Sequence, residues 1–148
     1  FFDFFDNARQ ATDLDMGTIG GTWGSATSVL MKGVISPKYD VIADIVEKVS
    51  SQIREKEKGD LMANYLMKYF NMLADQLIEM DPFLSPHAKI AYVVGCSRLK
   101  EVFVETDVLL AKLMEGLGLG YHVSSIERIR KRNSGKDLHE SIVYAQKE

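Results

Sequence analysis

Residues 121 to 146 place two alternating runs, "YHVSSIERIRK" and "HESIVYAQ", on either side of an Asn-Ser-Gly turn at Asn133 to Gly135. Apolar and polar residues that alternate in this way predict half-buried strands. A turn this short forces the second strand to run antiparallel to the first. Ahead of the hairpin, "HAKIAYVVG" (87 to 95) is short, apolar and β-branched, as a buried strand is. Between them Leu109, Leu110, Leu113, Met114 and Leu117 recur at helical spacing behind Thr106, the expected N-cap. A strand, helix, strand and tight turn in this order predict an α/β domain. Its first two strands should pair in parallel and its last should run antiparallel.

Two helices are expected upstream. In "SPKYDVIADIVEKVSSQIREKEKG", Ser36 is the expected N-cap and Pro37 the first helical residue. Val41, Ile42, Ile45, Val46, Val49 and Ile53 share one face, and Gly59 should end the helix. Asp60 should cap the next helix, residues 61 to 80. Its apolar residues cover more than one stripe, so it should pack on two sides. "DPFLSP" then breaks it with two prolines. Residues 17 to 28, "GTIGGTWGSATS", read as a loop. Three strands make a thin sheet for an α/β domain. The opening "FFDFFDNARQ" puts Phe1, Phe2, Phe4 and Phe5 at a terminus where water would meet them, so a preceding segment or a partner is expected there.

The chain has 148 residues and a formal net charge of -3, which argues against nucleic-acid binding by bulk charge. One cysteine excludes an internal disulfide and suits a reducing cytoplasmic setting. No apolar run approaches the roughly 20 residues of a membrane span, and no signal peptide is visible. Against this acidic background Arg128, Arg130, Lys131, Arg132 and Lys136 crowd around the terminal turn.

The segment "KIAYVVGCSRLKEVFVETDVLLAKLMEGLGLGYHVSSIERIRKRNSGKDLHESIVYA" resembles the C-terminal part of class I S-adenosylmethionine-dependent DNA amino-methyltransferases, which modify cytosine N4 or adenine N6. In that family a helix like 61 to 80 precedes a strand like 88 to 94. A Val-Gly-Asn-Ser-Arg motif and a Thr-Asp-capped helix follow, and the fold ends in a hairpin whose turn carries Arg, Lys, Ser and Gly. Here the motif is "VVGCSR", with Cys96 in place of the Asn. The resemblance covers roughly residues 60 to 146. It implies the C-terminal half of a Rossmann-like methyltransferase sheet over 60 to 148, with 1 to 59 a loop and helical segment that follows the catalytic region. The Gly-rich cofactor loop and the Pro-Pro-Tyr/Phe motif of the family have no counterpart in this sequence. The chain is therefore expected to be inactive alone, with the S-adenosylmethionine site mostly outside it and the missing half upstream or in a second chain.

Ligands of open α/β sheets bind beyond the carboxyl ends of the parallel strands. That rule brings Arg98, Lys100, Arg130, Lys131, Arg132 and Lys136 to one face as DNA phosphate contacts, which orient a duplex without reading its sequence. Phe2, Phe5 and Trp23 are substrate-loop candidates. No catalytic residue is nominated within the chain.

"GLGLG" (116 to 120) follows a helix and precedes a strand, the reverse of a dinucleotide fingerprint, so it reads as a helix cap and turn. His87, His122 and His139 lack metal-ligand spacing, and Cys96 has no Cys or His near it in sequence. No metal site is expected, and Cys96 reads as a buried structural thiol. The alternatives are an RNA or small-molecule methyltransferase of the same fold, and a non-catalytic nucleic-acid-binding module.

Overall fold

The computed structural model describes residues 8–20, 30–31, 33–131 and 138–148. Helix α1 spans Ala8–Gly17, α2 Asp40–Arg54 and α3 Asp60–Met80, which runs into a 3-10 turn at Asp81–Phe83. Strand β1 is Lys89–Gly95. A small hairpin of β2 (Ser97–Leu99) and β3 (Val102–Val104) follows, then helix α4 (Thr106–Gly116), β4 (Tyr121–Lys131) and β5 (His139–Lys147).

The main sheet has the order β1-β5-β4, and both of its ladders are antiparallel. This corrects the expectation of a parallel β1-β4 pair. The two strands do run in the same direction, but β5 lies between them. The terminal hairpin folds toward β1, so its return strand occupies the gap and takes hydrogen bonds from both sides. The β2-β3 hairpin was not expected. Its turn residues Lys100 and Glu101 have φ of 49° and 68°, a conformation that two-residue hairpins usually assign to Asn and Gly.

One core joins the layers. Ile42, Val46 and Ile53 of α2 meet Leu66, Phe70, Leu73 and Leu77 of α3. Leu110, Leu113 and Met114 of α4 join them, with Val94 and Val143 from the sheet. Helix α3 is indeed buried on more than one stripe, with Ala63, Met67 and Ala74 also inside. Gly116, at the end of α4, lies so close to α2 that an added Cβ would stand 2.3 Å from Val41 Cγ2.

The entry to α2 differs from expectation. The helix starts at Asp40 and not after Ser36, and no side chain caps it. Two asparagines of α3 explain this. Asn64 Nδ2 donates to the carbonyls of Leu30 (2.7 Å) and Gly33 (2.6 Å), while its Oδ1 accepts from Ile35 N at 3.1 Å and Arg54 Nη2 at 3.0 Å. Two turns further on, Asn71 Nδ2 donates to Ser36 O at 2.9 Å and its Oδ1 accepts from Lys38 N at 2.9 Å. Residues 33 to 38 are thereby held against α3, and Ser36 and Pro37 cannot enter a helix. The buried Asn64 uses all four of its hydrogen-bonding positions.

Helix boundaries shift elsewhere for similar reasons. Lys58, not Gly59, takes the positive φ after α2 (53°). Gly59 is needed because a Cβ there would sit 1.9 Å from Ile53 O. Asp60 and Thr106 are first helical residues and not caps. Asp60 accepts from Arg54 Nη1 at 2.9 Å. Gly118 and Gly120, with φ of 71° and 74°, close α4 as the sequence suggested.

Replacing Asn64 with Ala would leave the buried Leu30 carbonyl and the part-buried Gly33 carbonyl without their donor. A loss of about 2–4 kcal/mol in urea unfolding is expected. A change under about 0.5 kcal/mol would show that the strap contributes nothing to stability.

Candidate functional site

Antiparallel register decides what meets at the end of the sheet. Glu140 of β5 pairs with Gly95, the last residue of β1, and with Arg130, one residue before the end of β4. The carboxyl ends of β1 and β4 therefore coincide. The β2-β3 hairpin leaves from the same end, and Cys96 N donates to His139 O at 3.0 Å.

Arg98 is exposed, its guanidinium carbon 5.4 Å from the centre of the Phe103 ring, and its Nη1 donates to Glu101 O at 3.2 Å. Lys100 is half-buried in the hairpin turn. It helps line a shallow groove of about 460 Å³ with Lys56, Glu57, Lys58 and Glu101. The exposed Arg130 forks onto Glu140, with Nε to Oε2 at 2.7 Å and Nη2 to Oε1 at 3.1 Å. That carboxylate offsets part of the charge which the sequence assigned to the edge. Lys131 ends β4 and pairs in register with His139. Arg132, Lys136, Phe2, Phe5 and Trp23 lie outside the described residues.

Behind this edge lies a cluster that sequence reasoning missed. Cys96, Asp107, His139 and Ser141 are all buried, from 0% to 5% exposed. Cys96 Sγ donates to Asp107 Oδ1 at 3.3 Å and lies 3.2 Å from His139 Nε2. His139 Nε2 lies 3.2 Å from Asp107 Oδ2. Ser141 Oγ donates to Oδ2 at 2.7 Å, and Val108 N donates to Oδ1 at 2.9 Å. The reading of His139 as scattered and of Cys96 as without a His partner is thus corrected, while Cys96 is buried as expected. Cys96 sits just past β1, Asp107 in the first turn of α4 and His139 at the start of β5. Folding joins residues 11 and 32 positions apart. The one local hint was period two in β5, which puts His139 and Ser141 on the face that buries Val143 and Ala145.

Burial would raise the carboxyl of Asp107, but hydrogen bonds from Ser141, Cys96, Val108 N–H and His139 outweigh it. They hold the group below the usual carboxylate range. Burial, with the Asp107 carboxylate beside it, pushes the Cys96 thiol up to about 11. A thiol so placed is neutral at physiological pH and a poor nucleophile.

Comparison with protein-family models, with curated proteins and with solved structures finds no match to this chain. No helix among the described residues is long and apolar enough to cross a membrane.

A carboxylate held low contributes stability that is complete above its unfolded value, near 4, and is lost as pH falls through the folded value. Asp107→Asn should cost about 1–3 kcal/mol at pH 7. In urea unfolding across pH, the gap to wild type should narrow below about pH 4. A gap that stayed constant down to pH 2.5 would show that Asp107 does not carry this acid sensitivity.

Proposed function

We propose that this chain forms the C-terminal part of an S-adenosylmethionine-dependent DNA amino-methyltransferase and supplies the sheet core and a DNA-contacting face. The observation that carries the reading is an asymmetry between the two edges of the sheet. Natural edge strands are protected by charges and bulges. The β4 edge has both, with register shifts between Val123 and Ser125 and between Arg128 and Arg130, and with Glu127, Arg128, Arg130 and Lys131 along it. The β1 edge has neither. Its seven residues pair with β5 in unbroken register, none after Lys89 is charged, and Val93 is 64% exposed. Among the described residues no strand pairs with its outer side. An unprotected apolar edge is where a sheet continues. The cofactor-holding half that the resemblance implies would continue it.

The shared edge of β1 and β4 also supports the reading. It brings "VVGCSR" and the base of the basic hairpin together, beyond the carboxyl ends of two strands that point the same way. In this chemistry the exocyclic amine attacks the sulfonium methyl in line, so the protein's work is positioning. This chain's part would be to grip phosphates while the target base leaves the stack, which costs a few kcal/mol. Arg98, Lys100, Arg130, Lys131, Arg132 and Lys136 are the proposed contacts.

The decisive assay is transfer of labelled methyl from S-adenosylmethionine to mixed-sequence duplex DNA. The expected result is label in DNA only when a cofactor-binding half is present, with structured RNA a weaker acceptor. RNA as the better acceptor would favour an RNA methyltransferase. Duplex binding with no transfer, even with a cofactor half added, would favour a non-catalytic binding module.

The phosphate role has its own test. Arg130→Ala with Arg132→Ala should weaken duplex binding across sequences and reduce the slope of log K against log salt by roughly 1 to 2. Glu140→Gln, which releases Arg130 from its carboxylate, should strengthen binding at low salt. Unchanged slopes in both variants would remove these residues from the interface.

A further inference from the structure

The Cys96-Asp107-His139 cluster offers a thiol, an imidazole and a carboxylate from three separate elements. Their ligand atoms lie within 4.8 Å of one another, and all three residues are buried. We infer that this cluster is a structural binding site for a divalent cation of the zinc class.

Three features of the geometry carry the inference. The first is spacing. Sγ to Nε2 is 3.2 Å, Nε2 to Oδ2 is 3.2 Å and Sγ to Oδ1 is 3.3 Å. Tetrahedral zinc with bonds of about 2.0–2.3 Å separates such donors by about 3.3–3.6 Å. With one ligand atom from each residue and all three within 4.8 Å of one another, an ion would enter with small side-chain rotations. The second is the placing of the carboxylate, which straddles the sulfur–nitrogen pair with one oxygen against each. Each of the three residues thus offers one ligand atom to a common centre. The third is outer support. Ser141 Oγ donates to Oδ2 and Val108 N to Oδ1, and such bonds orient ligating carboxylates in metal sites.

The donor set selects the metal. Thiolate with imidazole suits zinc and its neighbours and disfavours magnesium and calcium, which take oxygen ligands. Burial of every donor leaves no open path for substrate, so the ion's role is structural and not catalytic. On binding, the metal–sulfur bond replaces the S–H bond and one proton goes to solvent. The ion would tie the end of β1, the start of α4 and the start of β5 into one unit at the carboxyl edge. The site stands apart from the methyltransferase proposal, and its test does not read methyl transfer.

The experiment is to strip the full chain with a chelator and titrate it with Co²⁺, then with Zn²⁺. One equivalent of Co²⁺ should give near-ultraviolet thiolate-to-metal absorption and visible bands of tetrahedral intensity, both removed by Zn²⁺. Zinc at a hundredfold excess over its Kd should raise Tm by about 5–10 °C. Cys96→Ser should lose the thiolate band, and His139→Gln should lose affinity by tenfold or more. Should either variant fail to fold, the wild-type spectrum with its single thiol still decides. A folded wild-type chain that binds neither ion at one equivalent, or a spectrum unchanged in Cys96→Ser, would overturn the inference and leave a hydrogen-bonded cluster.

Discussion

The Asp107 carboxylate is the point on which the carboxyl end of the sheet depends. It is buried, and it collects hydrogen bonds from Ser141 and from its own helix backbone while touching Cys96 and His139. A charge buried in this way is tolerated only where donors surround it. Those donors come from β5, from the first turn of α4 and from the residue just past β1. Loss of the carboxylate would remove a contact from all three elements at once. The basic edge outside is built on the same residues. Glu140, which forks with Arg130, is the neighbour of His139 and Ser141, and by strand alternation it faces the other way.

The other half of the domain is organised by a second polar device. Asn64 and Asn71 lie seven residues apart on α3, two helical turns, and bind the backbone of Leu30, Gly33, Ile35, Ser36 and Lys38 as a sheet edge would. Apolar packing between α2 and α3 sets how close the helices come. The asparagines decide where α2 begins. Lys38 and Tyr39 then reach Asp75 on the same helix, and Tyr39 donates to it at 2.7 Å. Burial opposes the ionised form of Asp75, yet these two partners hold its carboxyl below the usual range.

What was legible in the sequence followed from local periodicity. Helices α2, α3 and α4 and strands β1, β4 and β5 show in the spacing of Ile42, Val46 and Ile53, of Leu110, Leu113 and Met114, and of Ser141, Val143 and Ala145. What was not legible depended on partners far along the chain. Ser36 has the residue type of a cap, but Asn71 claims its carbonyl. Lys100 and Glu101 make a turn that their residue types do not announce, because Ser97 to Leu99 pairs with Val102 to Val104 around them. Parallel pairing of β1 with β4 was a fair local inference, and it fails because it ignores where the hairpin's return strand goes. The buried cluster could not be read from spacing at all, since Cys96, Asp107 and His139 meet only once β5 has inserted.

That insertion links the two unassigned features of the molecule. With β5 between β1 and β4, the outer side of β4 becomes one boundary of the sheet, and its bulges and charges suit that position. Among the described residues the outer side of β1 becomes the other boundary, and nothing in "IAYVVG" suits it to water. The same insertion brings His139 against Cys96 and so creates the cluster at the head of β1. A group that fixes the cluster therefore also fixes the end of the strand with the open edge. An added strand gains from a rigid template, because less ordering cost remains to be met when it pairs. On the two proposals made above, the buried thiol, imidazole and carboxylate and the β1 edge that no described strand covers are parts of one arrangement: a sheet end held stiff from within and able to continue on one side.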